Sequence, residues 1–284
     1  MEQLLSIGHG YAAVHVAQAL PARWQVAGTT RCAERVDALR RARITPVIWE
    51  AGGDPHPLVA VLESATHLIS SVAPGETGDP VLPALGGLMA PRLRWVGYLS
   101  ATSVYGDAGG GWLNEDSPPA PGTARGRARL EAEEGWRDFC ARRGLACAIF
   151  RIAGIYGPGR SAIDALRAGR ARRLVKPGQV FNRIHVVDLG RIVAAAAARK
   201  AAGVFNLCDD EPAPPQDVIA HAATLTGLPC PRETPFNAAD LGPMARSFYS
   251  ENKRLRSNRV GPDLGVRLRY PDYRTGLAAI AAGD

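Results

Sequence analysis

Near its N-terminus the chain runs Leu4-Leu5-Ser6-Ile7-Gly8-His9-Gly10-Tyr11-Ala12-Ala13. An apolar stretch with the look of a buried strand is followed by two glycines one residue apart and then by the start of a helix. In a G-x-G-x-x-A turn the first glycine permits the tight bend and the second lets a pyrophosphate approach the backbone. The small residue in third place, Ala13, lets the helix pack close with its free N–H groups facing the phosphates. Without a ligand the same letters would be only a glycine turn; the strand before and the helix after favour a dinucleotide. Gly8, His9, Gly10, Tyr11 and Ala12 are therefore expected at the cofactor, with His9 as a side-chain donor.

Working outward, strand-like and helix-like segments alternate, the pattern of a parallel sheet covered by helices. Trp24–Thr29 reads as a second strand, 33–43 as a helix, and Pro46–Glu50 as a third strand. His67–Ala73 and Arg94–Ser100 are the fourth and fifth. A long charged helix, Ala124–Arg143, precedes a sixth strand, Ala146–Ile152. After about Gly157 the alternation fails, leaving short strands, Pro-Gly turns and two helices, Asp188–Arg199 and Pro215–Thr226. The expected architecture is a Rossmann-type doubly wound parallel α/β sheet over residues 1–156. Residues 157–284 are expected to form a small substrate or lid region with elements that return to the sheet.

A dinucleotide site that takes NAD carries an acid about 20 residues past the glycines, for the ribose 2′-hydroxyl. Here the second strand ends Gly28-Thr29-Thr30-Arg31, with no acid. Arg31 offers a planar cation to a 2′-phosphate and Thr30 a hydroxyl, so NADP(H) is expected ahead of NAD(H). Ser71, Ala73, Ser100 and Ala153 complete the expected cofactor contacts. Trp49 fits either an adenine face or the core.

The 284 residues are 46% hydrophobic and 21% charged, enough to bury a core. No apolar run reaches the roughly 20 residues of a membrane helix, and no secretory signal pattern is present, so a cytoplasmic location is expected. Five scattered cysteines without a C-x-x-C spacing exclude a disulfide scaffold and the familiar zinc spacings. The net charge of +7 comes mostly from arginine and is spread along the chain with only 6% aromatics. That pattern argues against nucleic acid as a partner, and no metal site is expected.

Several further segments act together: Leu99-Ser100-Ala101-Thr102-Ser103-Val104-Tyr105-Gly106-Asp107, Asn114-Glu115-Asp116-Ser117-Pro118, the helix Arg125-Gly126-Arg127-Ala128-Arg129-Leu130-Glu131-Ala132-Glu133, Arg151-Ile152-Ala153-Gly154-Ile155-Tyr156-Gly157-Pro158-Gly159, Arg183-Ile184-His185-Val186-Val187-Asp188 and Val204-Phe205-Asn206-Leu207. In this order the chain resembles the extended short-chain dehydrogenase/reductases of the epimerase/dehydratase kind, with a glycine loop and length closer to the atypical branch. The resemblance implies a Tyr-x-x-x-Lys pair on the long helix and a Ser or Thr after the fifth strand. Those positions fall on Arg125, Arg129 and Ala101. Arginine does not act as a base at ordinary pH, so the resemblance does not carry its mechanism with it. Arg125 and Arg129 share one helix face and suit an anionic small molecule, Arg129 also holding nicotinamide-ribose hydroxyls. The alternative is that both pair with Glu131, Glu133 or Glu134 at the surface. Thr102 and Tyr105 stand as other proton carriers, and the asparagine that in sugar-nucleotide enzymes follows the Arg151 position is absent. The expected function is an NADP(H)-dependent oxidoreductase or epimerase/dehydratase-like enzyme. The competing expectation is a non-catalytic NADP(H)-binding sensor or assembly protein, in either case a monomer or homodimer.

Overall fold

The computed structural model describes residues 1–283. Seven strands form the central sheet: β1 (Gln3–Ile7), β2 (Gln25–Thr30), β3 (Ile44–Ile48), β4 (His67–Ser70), β5 (Trp95–Ala101), β6 (Ala146–Ile152) and β7 (Gly203–Leu207). Their spatial order is β7-β6-β5-β4-β1-β2-β3, and every pairing is parallel. Leu4 of β1 lies opposite Val26 of β2 on one side and His67 of β4 on the other. Leu4, Leu5 and Ile7 are fully buried, as a central parallel strand covered on both faces must be. The chain leaves β3 at one edge and re-enters at β4 on the far side of β1, so the strand order reverses between β1 and β4. In such sheets ligands lodge in the crevice at that reversal, beyond the carboxyl ends of the strands.

Helices α1 (Tyr11–Ala19), α2 (Val36–Arg41), α3 (His56–Ser64), α4 (Leu82–Gly86) and α5 (Ala124–Arg143) follow successive strands. After them come α6 (Ala162–Arg167), α7 (Val186–Arg199), α8 (Pro215–Thr226), α9 (Pro243–Phe248), α10 (Val260–Leu264) and α11 (Tyr273–Ala282). One face of the sheet is covered by α1 and α7, through Val16, Leu189, Ile192 and Val193. The other is covered by α3, α4 and α5, through Leu58, Leu62, Leu85, Trp136 and Phe139. A third apolar cluster joins α6, α8 and α11 around Ile163, Val218 and Leu277.

Residues 33–43 form a short 3-10 turn, Ala33–Arg35, before α2 rather than one helix. The third strand lies two residues earlier than expected, at Ile44–Ile48. It is an edge strand and so tolerates Pro46, which has no N–H to give a ladder. Past residue 156, α7 packs on α1 and β7 pairs with β6. The rest forms a cap over the strand ends, tied by short parallel pairs: Gly154–Tyr156 with Arg183–His185, Arg173–Val175 with Glu233–Pro235, and Trp112–Leu113 with Arg254–Leu255. No helix among the described residues is long and apolar enough to cross a membrane.

Candidate active-site cleft

Gly8 ends β1 with φ +75°, where a side chain would also press on Val72 and Ser71. Its N–H donates to Thr29 Oγ1 (2.8 Å), the His9 N–H to the Thr29 carbonyl (3.1 Å), and Ser71 Oγ to the Gly8 carbonyl. The glycine loop is thus pinned from β2 on one side and β4 on the other. Gly10 begins α1 with no side-chain cap, which leaves the first-turn N–H groups of a nine-residue helix available to an anion. The Tyr11 hydroxyl donates to the Pro158 carbonyl (3.0 Å) and ties the loop to the cap.

His9 contributes differently from the sequence expectation. Its ring is 2% exposed, with Nδ1 3.0 Å from Ser6 Oγ, and burial with Arg35 nearby lowers its pKa to about 4. It is a neutral ring held through Nδ1 to Ser6 beneath the loop. Thr30 is likewise buried, and its hydroxyl accepts from the Cys32 N–H (3.2 Å) to shape the turn. Arg31 is open to solvent, with only a 4.0 Å contact to the equally exposed Glu50; such a pair holds it weakly. Arg35, which the sequence reading passed over, donates to the His9 carbonyl (3.0 Å) and brings a second guanidinium to this end of the loop. Trp49 is core, its Nε1 bonded to the Asp54 carbonyl. Ala73 is exposed, and Ala12, Ser71, Ser100, Arg129 and Ala153 line the cleft described next.

That cleft, about 700 Å³, opens beyond β5 and β6 and beneath the cap. Its sheet side holds Ser100, Ala101, Thr102 and Ser103; its helix side holds Arg125 and Arg129 of α5; its cap side holds Arg183, Phe248 and Lys253. Gly126 explains how α5 comes so near: a Cβ there would stand 2.6 Å from the Ser103 carbonyl. Thr123 caps the helix by accepting from the Gly126 N–H (3.1 Å). Neither arginine pairs with Glu131, Glu133 or Glu134. Arg129 donates to the Leu99 carbonyl (2.9 Å) and to the Tyr98 hydroxyl (3.1 Å), a phenol that burial pushes up to about 12. Arg125 donates to Ser247 Oγ (2.9 Å) and lies 4.7 Å from the Phe248 ring centroid, so it bridges α5 to the cap.

Glu133 is committed elsewhere. Fully buried, it accepts from Arg151 Nη2 (2.8 Å), Arg151 Nε (3.1 Å), Arg137 (3.2 Å) and Ser100 Oγ (2.7 Å). Ser100 therefore lines the cleft with its hydroxyl already spent inward. Tyr105 does not reach the cleft: it is 2% exposed, and its hydroxyl lies between two acceptors that share its one proton, the Asn114 carbonyl (2.9 Å) and Asn206 Oδ1 (2.8 Å). As a proton carrier it is excluded by burial and by those bonds. Thr102 does line the cleft. His185 is the N-cap of α7, accepting from the Val187 N–H, while Asp188 accepts from the Arg269 and Tyr270 N–H groups instead of capping.

Charge distinguishes the cleft. Arg125, Arg129, Arg160, Arg183 and Lys253 line it against a single carboxylate among the described residues, Glu251, which is held by Lys253 (2.6 Å). The Lys253 side chain is buried and donates to the Gly106 carbonyl (2.6 Å). Arg160 follows Gly157-Pro158-Gly159 and stands 5.9 Å from the Tyr11 ring centroid, beside the glycine loop.

Residues 89–208 match the NAD dependent epimerase/dehydratase family. A solved structure of a functionally unknown conserved protein from Silicibacter pomeroyi DSS is 50% identical, with a TM-score of 0.89 over 100% of this chain and 99% of that one. Over residues 89–208 the chain resembles the NAD dependent epimerase/dehydratase family. The chain is similar to Protein YeeZ of Escherichia coli (strain K12), 29% identical across 96% of this chain and 97% of that protein. It is also similar to a 3-diazoavenalumate denitrifying reductase of Streptomyces sp, 31% identical across 58% of each chain.

Proposed function

We propose that the protein is an NADP(H)-dependent oxidoreductase or epimerase/dehydratase-like enzyme acting on an anionic small molecule. The observation that carries the reading is the row of guanidinium groups at the cleft, Arg125 and Arg129 above all, with no carboxylate among the described residues paired to either. The resemblance of residues 89–208 to that family and the pinned glycine loop support a pyridine nucleotide. The absence of an acid after β2, with Arg31 and Arg35 there instead, supports a 2′-phosphate. One relative is by its name a reductase acting on an anion, 3-diazoavenalumate.

The residues present fit such a cofactor: the open α1 N-terminus for pyrophosphate, Arg31 and Arg35 for the 2′-phosphate, and Arg129 for ribose hydroxyls. When bound, the nicotinamide supplies or accepts the hydride. The chain's own part is electrostatic. In the family this chain resembles, a tyrosine gives up a proton at the place where Arg125 stands. Arg125 instead brings a permanent charge and a planar fork of donors, suited to negative charge that gathers on oxygen. Thr102 lies in the same cleft as a hydroxyl through which solvent can deliver the proton.

The test is NADPH oxidation with a panel of 2-oxo acids and aryl carboxylates carrying a reducible group. At least one member is expected to turn over. Arg125→Ala is expected to lower kcat/KM about 100-fold, the scale of losing one oxyanion donor, with NADPH affinity unchanged. Bound NADPH with no turnover of any member would favour the non-catalytic sensor. Turnover indifferent to Arg125→Ala would remove Arg125 from the chemistry.

A further inference from the structure

A second cavity of about 450 Å³ lies between α6, α8 and α11. Its apolar walls come from Ala165, Val218, Ile219 and Leu277, and its rim carries Arg160, Arg170 and Arg183. Tyr156, Arg160 and Arg183 line this cavity and the cleft alike, so the two spaces adjoin.

The charges at the rim are not neutralised from within. Among the described residues the Arg170 guanidinium has no hydrogen-bond or ion-pair partner. Arg183 spends Nη1 on the Phe181 (2.9 Å) and Ala213 (3.1 Å) carbonyls, which are uncharged. Asp164 is the acidic residue in the lining, and its carboxylate accepts from the Ser161 N–H (2.9 Å) and hydroxyl (2.5 Å) in the capping box of α6. Asp209, the acid whose charge acts most on Arg183, is 1% exposed. Burial pushes that carboxyl up to about 8, which leaves the Arg183 charge standing near neutral pH.

We propose that this cavity is a substrate subsite for a carboxylate carried on an apolar body, the end of the substrate remote from the reacting group. The proposal rests on the functional reading above for the placement of the reacting end in the cleft. Aliphatic walls reward an alkyl or aryl body, and guanidinium groups at the rim reward the carboxylate. A sugar would need a partner for each hydroxyl, and the Ser161 hydroxyl on the wall is already engaged.

Cinnamate serves as the probe, with cinnamide as its uncharged counterpart and acetate as the charge without the body. Titrations use the full chain by calorimetry, with and without NADPH, in wild type, Arg170→Glu and Ile219→Asp. Cinnamate is expected to bind at least about ten-fold more tightly than either control, and each variant to lose about ten-fold or more. Arg170 is exposed, so Arg170→Glu retains the fold, and NADPH affinity is expected to be the same in that variant. Equal affinity for cinnamate and cinnamide, or unchanged cinnamate binding in Arg170→Glu, overturns the proposal. The NADPH titration reports separately on the functional reading: its failure in wild type would sink that reading, while the cinnamate series still decides the cavity.

Discussion

Burial sets the charge of four side chains whose titration falls near neutral pH. His9, His67 and His185 are each lowered to about 4 from 6.5, chiefly by burial. Asp209 is raised to about 8 from 3.8 by the same cause. A histidine held neutral in the fold takes its proton first in the unfolded chain, so stability falls as pH drops from 6.5 towards 4. Asp209 works in the opposite sense: the folded state holds a proton that the unfolded chain has released, and stability falls as pH rises towards 8. Below 6.5 these histidines, with His15 lowered by burial in the same sense, outweigh the carboxyls; above it Asp209 acts without them, with Asp210 raised by burial in its sense. Stability is therefore expected to peak near about pH 6.5. Denaturant unfolding from about pH 5 to about pH 9 measures it, and Asp209→Asn should flatten the alkaline side. A wild-type stability that climbs steadily above neutrality would contradict this assignment.

At the scale of the element, α5 carries most of the site. Its buried stripe, Gly126, Ala132, Glu133, Trp136, Phe139 and Cys140, repeats at helical spacing, with one charge in an otherwise small or apolar row. That charge joins α5 to β6 through Arg151 and to β5 through Ser100. Glu133→Ala leaves the 3% exposed Arg151 without its counter-ion. It is expected to cost about 3–5 kcal/mol, read as a lowered denaturant midpoint; a loss below about 1 kcal/mol would mean that Arg151 finds another partner. The bounds of α5 were legible in the sequence, because Thr123 caps one end and Gly144, in the left-handed region, stops the other. The central strands were legible from their apolar runs, and β3 shifted because a proline is tolerated at an edge. The inward turn of His9 was not legible, nor the bond from Tyr105 to Asn206 across 101 residues of sequence. Local periodicity says which side chains are buried; tertiary contact decides what each buried polar atom meets. Arg160 did carry a local signal, since it directly follows the Gly157-Pro158-Gly159 turn.

At the scale of the molecule, three facts combine: a parallel sheet whose order reverses beside the glycine loop, a cap returning from residues beyond 157, and a cation-lined cleft between them. The reversal places Gly8 and Ser71 at one crevice. The cap closes the far side with Arg183 and Lys253 and meets α5 through the Arg125–Ser247 bond. Fixed positive charge from Arg125, Arg129, Arg183 and Lys253 lines that cleft. The reading holds that the molecule keeps a nucleotide and selects an anion beside it.

The nucleotide comes first in that reading, and the choice between the two pyridine cofactors falls on an exposed residue whose replacement spares the fold. The deciding measurement is a calorimetric titration with NADPH and NADH of the wild type and of Arg31→Ala. The account predicts that wild type binds NADPH about ten-fold or more tightly than NADH, and that Arg31→Ala brings NADPH down towards the NADH value, as expected when a charge-assisted contact to a 2′-phosphate is lost. No binding of either nucleotide, or equal affinity for both in wild type and variant, would contradict it.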